Sequence, residues 1–142
     1  MTLATILQQR AGKVIQVTPD TTVRAAVQLF ADHRIGAVPV MRGDEVVGVM
    51  SERDVIYALR SDGAAILDWP VERVMTQPAL TVDSSISPLV GLSLMTRRRV
   101  RHLPVVDDGR MVGFISIGDL VKSRIDRVEA EAEAMRIYIQ TA

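Results

Sequence analysis

Apolar positions in this chain change period in a fixed order, and that order occurs twice. A β-rich stretch over 14–17 ends in the polar turn Thr18-Pro19-Asp20-Thr21-Thr22. Thr and Asp are good helix N-caps, because their side-chain oxygens accept from the free N–H groups of a first turn. Val23, Val27 and Phe30 follow at spacings of four and three, which marks one apolar helix face. A strand is then predicted over 37–41, a reversal at Arg42-Gly43-Asp44, and a partner strand over 46–50. Ser51 stands where the next helix opens. In the second copy the stretch over 79–82 leads into Asp83-Ser84-Ser85, then Leu89, Leu92 and Met95 on a helix face. Strands over 103–106 and 111–115 flank Asp107-Asp108-Gly109, and Ser116 opens the last helix.

Each copy therefore reads β-α-β-β-α. Pro39 and Pro104, Gly48 and Gly113, Ser51 and Ser116, and Asp54 and Asp119 all stand 65 positions apart. Upstream, Val17-Thr18-Pro19-Asp20 answers Leu80-Thr81-Val82-Asp83 at 63, which predicts two extra residues in the first helix of the second copy. One unit of this size covers a small sheet poorly, so two units related by a pseudo-twofold axis are expected. The predicted fold is α+β: an N-terminal helix or arm over 1–13, repeats over 14–68 and 69–122, and a C-terminal helical extension over 123–142. Residues 61–70, with Gly63, Trp69 and Pro70, read as a linker, and 71–75 as a short helical turn.

Composition narrows the chemistry. The 142 residues include 17 basic and 17 acidic side chains and no Cys, so thiolate metal sites, disulfides and a Cys nucleophile are excluded. Zero formal charge argues against a protein that holds nucleic acid or an anionic membrane by charge. The apolar runs are strand-sized, and the first 24 residues carry no apolar block of the kind that leads secretion, so a cytoplasmic protein is expected. His33 and His102 lack carboxylates at a metal-ligand spacing, and no base pairs with a Ser nucleophile. Metal and hydrolase roles are disfavoured, and the chain is read as no enzyme and as needing no cofactor.

The pattern apolar-Pro-Val, Gly-turn, Gly-apolar-x-Ser-x-x-Asp, present twice in one register, resembles the CBS domain family in its paired arrangement. The resemblance runs from 14 to 121; the Met95–Pro104 stretch and the Tyr138-Ile139-Gln140 ending are also similar to short paired members. It implies a flattened module with two clefts, one or both taking AMP, ATP, NAD or S-adenosylmethionine as a regulatory ligand. It also implies association of two modules, and signalling such as energy sensing to a regulated protein in trans.

The residues agree with that chemistry. One carboxylate at Asp54 or Asp119 can accept hydrogen bonds from both vicinal ribose hydroxyls. Ser51 and Ser116 lie at helix mouths, where N–H groups and the dipole favour phosphate. Ser-x-x-Asp is equally a simple capping arrangement. By the resemblance, the cleft of Ser116, Gly118 and Asp119 places Ile15, Ile35, Gly36 and Ala37 against adenine and Arg101 on the phosphate. In the other cleft, Ser51 and Asp54 have Arg53, Val100 and His102 as neighbours. The Asp119 cleft ranks first, and AMP or ATP leads among ligands. Arg97, Arg98 and Arg99 with Arg101 read as a solvated helix end complementing the dipole, with a phosphate-tuned cleft rim as the functional alternative. Trp69 reads as a packing residue.

The final helix carries Leu120, Ile125, Val128, Met135 and Ile139 near helical spacing and is expected to pair with a second copy, helped by 2–9. The alternative to a nucleotide sensor is a structural dimerisation module with vestigial clefts.

Overall fold

The computed structural model describes residues 1–10 and 12–141. Helix α1 (Leu3–Gln9) precedes a first unit of α2 (Val23–His33), β1 (Ala37–Arg42), β2 (Glu45–Ser51) and α3 (Glu52–Asp62). Two short 3-10 segments (Gly63–Asp68, Val71–Arg73) lead to a second unit of α4 (Pro88–Arg98), β3 (His102–Asp107), β4 (Arg110–Ser116) and α5 (Ile117–Thr141). The α+β architecture of two like units with a long terminal helix is the one the periodicity predicts.

Each unit holds one antiparallel hairpin, β1–β2 or β3–β4. Pro39 pairs with Val49 and Pro104 with Phe114, and both hairpins shift register at the same step, Val40/Met41 and Val105/Val106. The first predicted strand of each unit shrinks to one parallel bridge, Val17 to Val40 and Val82 to Val105. The second reversal turns on Asp108 and Gly109, both at positive φ, as a two-residue hairpin loop requires. At the hairpin tips, Arg110 pairs with Asp44 at 3.1 Å and the Met111 N–H donates to the Asp44 carbonyl at 3.1 Å, which joins the two sheets.

The interval between the copies is 65 throughout, which corrects the upstream value of 63. Val17 and Val82 make the same bridge, and α2 and α4 have 11 residues each. The caps match too: Thr22 Oγ1 accepts from Ala25, and Ser87 Oγ accepts from Val90. Ser87, followed by Pro88 with its pre-set φ, starts α4 later than Asp83-Ser84-Ser85 suggests. Leu89, placed on the core face by the sequence, is instead 59% exposed, and Pro88, Gly91 and Met95 are the buried positions of α4.

Two cores result. Val23, Phe30, Val38, Met50 and Val55 pack in the first, Met95, Leu103, Ile115 and Leu120 in the second. The stretch read as a linker belongs to the first core: Ile66 is fully buried and Val71 with it, while Trp69 packs beside them and lies under the Arg73 guanidinium at 3.6 Å.

The segments ahead of each unit are exchanged. Helix α1 packs on the second unit, with Leu3 N–H donating to Ile86 O (2.9 Å) and Ala4 N–H to Ser84 O (3.0 Å). Residues 71–76 pack on the first unit, with Val71 N–H donating to Thr21 O (2.7 Å) and Val49 paired with Thr76. Gly113 and Gly48 mark where these segments cross the hairpins: a Cβ at Gly113 would strike Leu7, and one at Gly48 would strike Met75 and the Thr76 carbonyl. Leu3 and Ile6 are thereby buried inside their own chain, so α1 has no apolar face left to help a partner, contrary to the expectation for 2–9.

Candidate functional site

Ser51 and Ser116 are the predicted caps. Ser51 Oγ accepts from the Asp54 N–H (3.2 Å), and Asp54 Oδ2 accepts from the Ser51 N–H (2.9 Å), closing a capping box at the start of α3. Ser116 and Asp119 repeat it at 3.1 and 2.9 Å. The capping alternative is thus realised in both copies, and each carboxylate keeps acceptor capacity on its outer side.

What else reaches each carboxylate differs. Asp54 Oδ1 accepts from Thr76 Oγ1 at 2.9 Å, a neutral partner that leaves the carboxylate its charge. Asp119 Oδ2 accepts from Arg10 Nη1 at 3.1 Å, and the same guanidinium nitrogen donates to the Phe114 carbonyl at 2.7 Å. Arg10 thus reaches the same Asp119 oxygen that accepts from the Ser116 N–H, whereas Thr76 reaches the Asp54 oxygen that the cap leaves free.

A cavity of about 230 Å³ opens at Asp54. Its lining includes the apolar Val49, Leu80 and Val100, and Gly36 beside Glu52, whose carboxylate a Cβ at Gly36 would meet at 3.3 Å. Arg53, Arg99 and Arg101 stand on its rim, with Arg53 Nη1 donating to the Arg99 carbonyl at 3.3 Å. Arg99 is the left-handed C-cap of α4 (φ 55°), which turns the chain sharply into Val100, Arg101 and His102. His102 lines the cavity and stacks on Phe114, ring centroids 5.4 Å apart. Burial holds its imidazole below the usual pKa and favours the neutral form, against the nearby charges of Asp119 and Glu52.

Val100, His102 and Arg53 therefore stand beside Asp54 as the sequence suggested. Gly36 and Arg101, assigned there to the Asp119 side, line the Asp54 cavity instead. Ile15 and Ile35 pack against the first core, and Ala37 is buried opposite Ser51 in the β1–β2 ladder. Gly118 is exposed in the first turn of α5. Asp119 borders a more open depression of about 500 Å³ between α1 and α5, with Gln9, Arg10 and Lys122. The sequence reading missed Thr76, Leu80 and Arg10. Leu80 was within reach, since it stands 65 after Ile15; Thr76 and Arg10 arrive through the exchanged segments, which no local pattern announces.

Among the described residues, no group of three or more His, Asp or Glu is placed to hold a metal ion, and no helix is long and apolar enough to cross a membrane.

The CBS domain family matches residues 11–61 and 71–126. The chain is 32% identical over 134 residues to the mitochondrial CBS domain-containing protein CBSX3 of Arabidopsis thaliana, covering 91% of this chain but 65% of that one. It is 28% identical to the CBS domain-containing protein YhcV of Bacillus subtilis, covering 97% of this chain and 98% of the relative. The crystal structure of the CBS-domain containing protein ATU1752 from Agrobacterium tumefaciens superposes with a TM-score of 0.82 at 34% identity, over 87% of this chain and 99% of that one. The CBS domain pair of protein MJ0100, solved with 5-methylthioadenosine and S-adenosyl-L-methionine, shares the fold at a TM-score of 0.74 and 19% identity, over 86% and 96% of the two chains. Two matches falling on two units of the same build make this chain a member of the CBS domain family, formed as a tandem pair of its domains.

Proposed function

We propose that this chain is a non-catalytic regulatory module that binds an adenosine-containing ligand in the cavity at Asp54. The observation that carries the reading is the charged carboxylate at the mouth of α3, partnered by the Thr76 hydroxyl and facing a cavity with apolar walls and an arginine rim. Asp54 would accept from the ribose hydroxyls. Leu80 and Val100 would lie against the base, and Arg99 and Arg101 would meet phosphate. The preference moves from Asp119 to Asp54 because the Arg10 guanidinium already offsets the Asp119 charge, whereas Asp54 meets only a neutral hydroxyl. The complex of MJ0100 with 5-methylthioadenosine and S-adenosyl-L-methionine is a fold-level parallel for the ligand class. AMP or ATP fits the arginine rim better than an uncharged nucleoside.

Ligand would favour one mutual arrangement of the two repeats only by its differential affinity for it, and a partner protein in the cytoplasm would read that arrangement. Two copies would associate through exposed helix faces. A second reading, a dimerisation module with vestigial clefts, is favoured by the apolar residues left exposed on α5.

Titration calorimetry with AMP, ADP, ATP, NAD and S-adenosylmethionine separates the two. At least one ligand should bind, and Asp54→Ala should weaken it about 10- to 100-fold, the worth of a charged acceptor's hydrogen bonds. Absence of binding at millimolar ligand, or binding indifferent to Asp54→Ala, refutes the proposal for this cavity.

A further inference from the structure

Helix α5 runs 25 residues, and among the described residues Leu120 is the one member of it that its own chain buries. Beyond Leu120 one set of apolar positions follows a stricter rule than amphipathicity, while the exposed Ile137 and Tyr138 lie off it. Val121, Ile125, Val128, Ala132, Met135 and Ile139 recur at alternating steps of four and three. The five large ones are between 42% and 66% exposed. An unbroken four-three alternation is a period of 3.5, the seam of a two-stranded coiled coil, and not the broader 3.6-period face of a helix lying on a core.

The charges beside the seam choose a direction. Lys122, Glu129 and Arg136 flank it on one side, Arg124 and Glu131 on the other. In a parallel, in-register pair, a residue on the second flank meets the residue five later on the first flank of its partner. Arg124 then faces Glu129, and Glu131 faces Arg136, each twice by symmetry. In an antiparallel pair with the same seam overlapped, like flanks meet. Glu129 faces Glu129, Glu131 faces Glu131, and Lys122 faces Arg136. Every charged match becomes a clash between like signs. Glu131 and Arg136 also pair along their own helix with Arg127 (3.2 Å) and Glu133 (3.0 Å), but exposed contacts of that kind are weak enough to exchange.

We propose that α5 forms a parallel, in-register coiled coil with α5 of a second copy of this chain. The inference rests on the dimer reading above and deepens it by fixing the interface and its direction.

The chain has no cysteine, so an introduced one reports only on itself. Sedimentation of the full chain should give a dimer. Met135→Cys, an exposed seam position, should then yield a covalent dimer on mild oxidation, since like seam positions meet in a parallel pair. A mixture of tagged Ile125→Cys with untagged Met135→Cys should give no mixed disulfide, those positions being about 15 Å apart along the axis. Glu131→Arg should weaken the dimer roughly tenfold, and adding Arg136→Glu to the same chain should restore it. A monomer at the highest soluble concentration overturns the dimer reading itself. A dimer linked through the 125–135 mixture overturns only the direction, and a dimer linked by neither route overturns α5 as the seam.

Discussion

Gly113→Ala sets two effects of opposite sign against each other. Gly113 lies within β4, paired with Val105, and its φ is outside the left-handed region, so alanine is conformationally acceptable there. On backbone grounds alone the substitution would stabilise the chain by about 0.4–1 kcal/mol, through the entropy that the unfolded chain loses. Sterically it is blocked. The new Cβ would lie 2.7 Å from Leu7 Cδ1 and 3.1 Å from Leu7 Cγ, well inside the roughly 3.5–4.0 Å of a favourable carbon contact. Overpacking of this kind costs about 1–3 kcal/mol, so a net destabilisation of about 1–2 kcal/mol is expected. For a chain of this size that lowers Tm by about 2–8 °C. The three nearest atoms all belong to one side chain, so the penalty should vanish in a Leu7→Ala background, with a coupling above about 1 kcal/mol in the double-mutant cycle. Urea unfolding at fixed protein concentration, without nucleotide, measures all four corners. If Gly113→Ala is neutral or stabilising, or its penalty survives in Leu7→Ala, then α1 does not cross β4 as described. Gly48→Ala is the counterpart with a different outcome. There the Cβ meets Met75 Sδ at 2.6 Å and the Thr76 carbonyl oxygen at 2.9 Å, and that oxygen is tied to the Val49 N–H. Met75→Ala should relieve only part of its cost.

Ile66→Ala, in the stretch between the repeats, should cost about 2–5 kcal/mol in chemical denaturation because Ile66 is fully buried; a loss under about 1 kcal/mol would mean the stretch is a loose tether after all. Arg10→Ala should change stability by less than about 1 kcal/mol, since the Arg10–Asp119 pair is partly solvated, and yet raise nucleotide stoichiometry by freeing Asp119. Unchanged stoichiometry in calorimetry would count against Arg10 as the element that closes the second cleft. His102 is held neutral by burial, so its folded pKa lies below its unfolded one. The stability it contributes is full above about pH 6.5 and is lost as pH falls toward the lowered value, because the unfolded chain takes up the proton first. Thermal melts between about pH 7.5 and 5.5 should therefore fall less steeply in His102→Gln than in the parent; equal slopes would remove His102 as a source of the pH dependence.

Much of the fold was legible because its signals are local and came twice. Pro39 and Pro104, Gly48 and Gly113, and the Ser-x-x-Asp caps each have a backbone reason to stand where they do, and their shared interval revealed the duplication. The upstream interval misled because Thr18-Pro19-Asp20 and Thr81-Val82-Asp83 resemble each other chemically. The true register is set by a single backbone bridge, Val17 to Val40 and Val82 to Val105, which has no side-chain signature. At the candidate site, Ser51, Asp54, Arg53, Val100 and His102 were legible from the motif. Thr76 and Arg10 were not, because they lie 22 and 109 residues from the carboxylates they touch.

The exchange of leading segments also has a consequence for how the chain is made. Helix α1 is synthesised well before its seat on Ser84, Ile86 and β4, with Arg10 finding the Phe114 carbonyl 104 residues downstream. At about 5–20 residues per second, α1 waits on the order of 5–20 s with Leu3 and Ile6 uncovered, while the first domain, sealed by 71–76, can already close. A helix translated ahead of both domains is thus placed only once the second hairpin exists, so its docking reports that the second domain has formed.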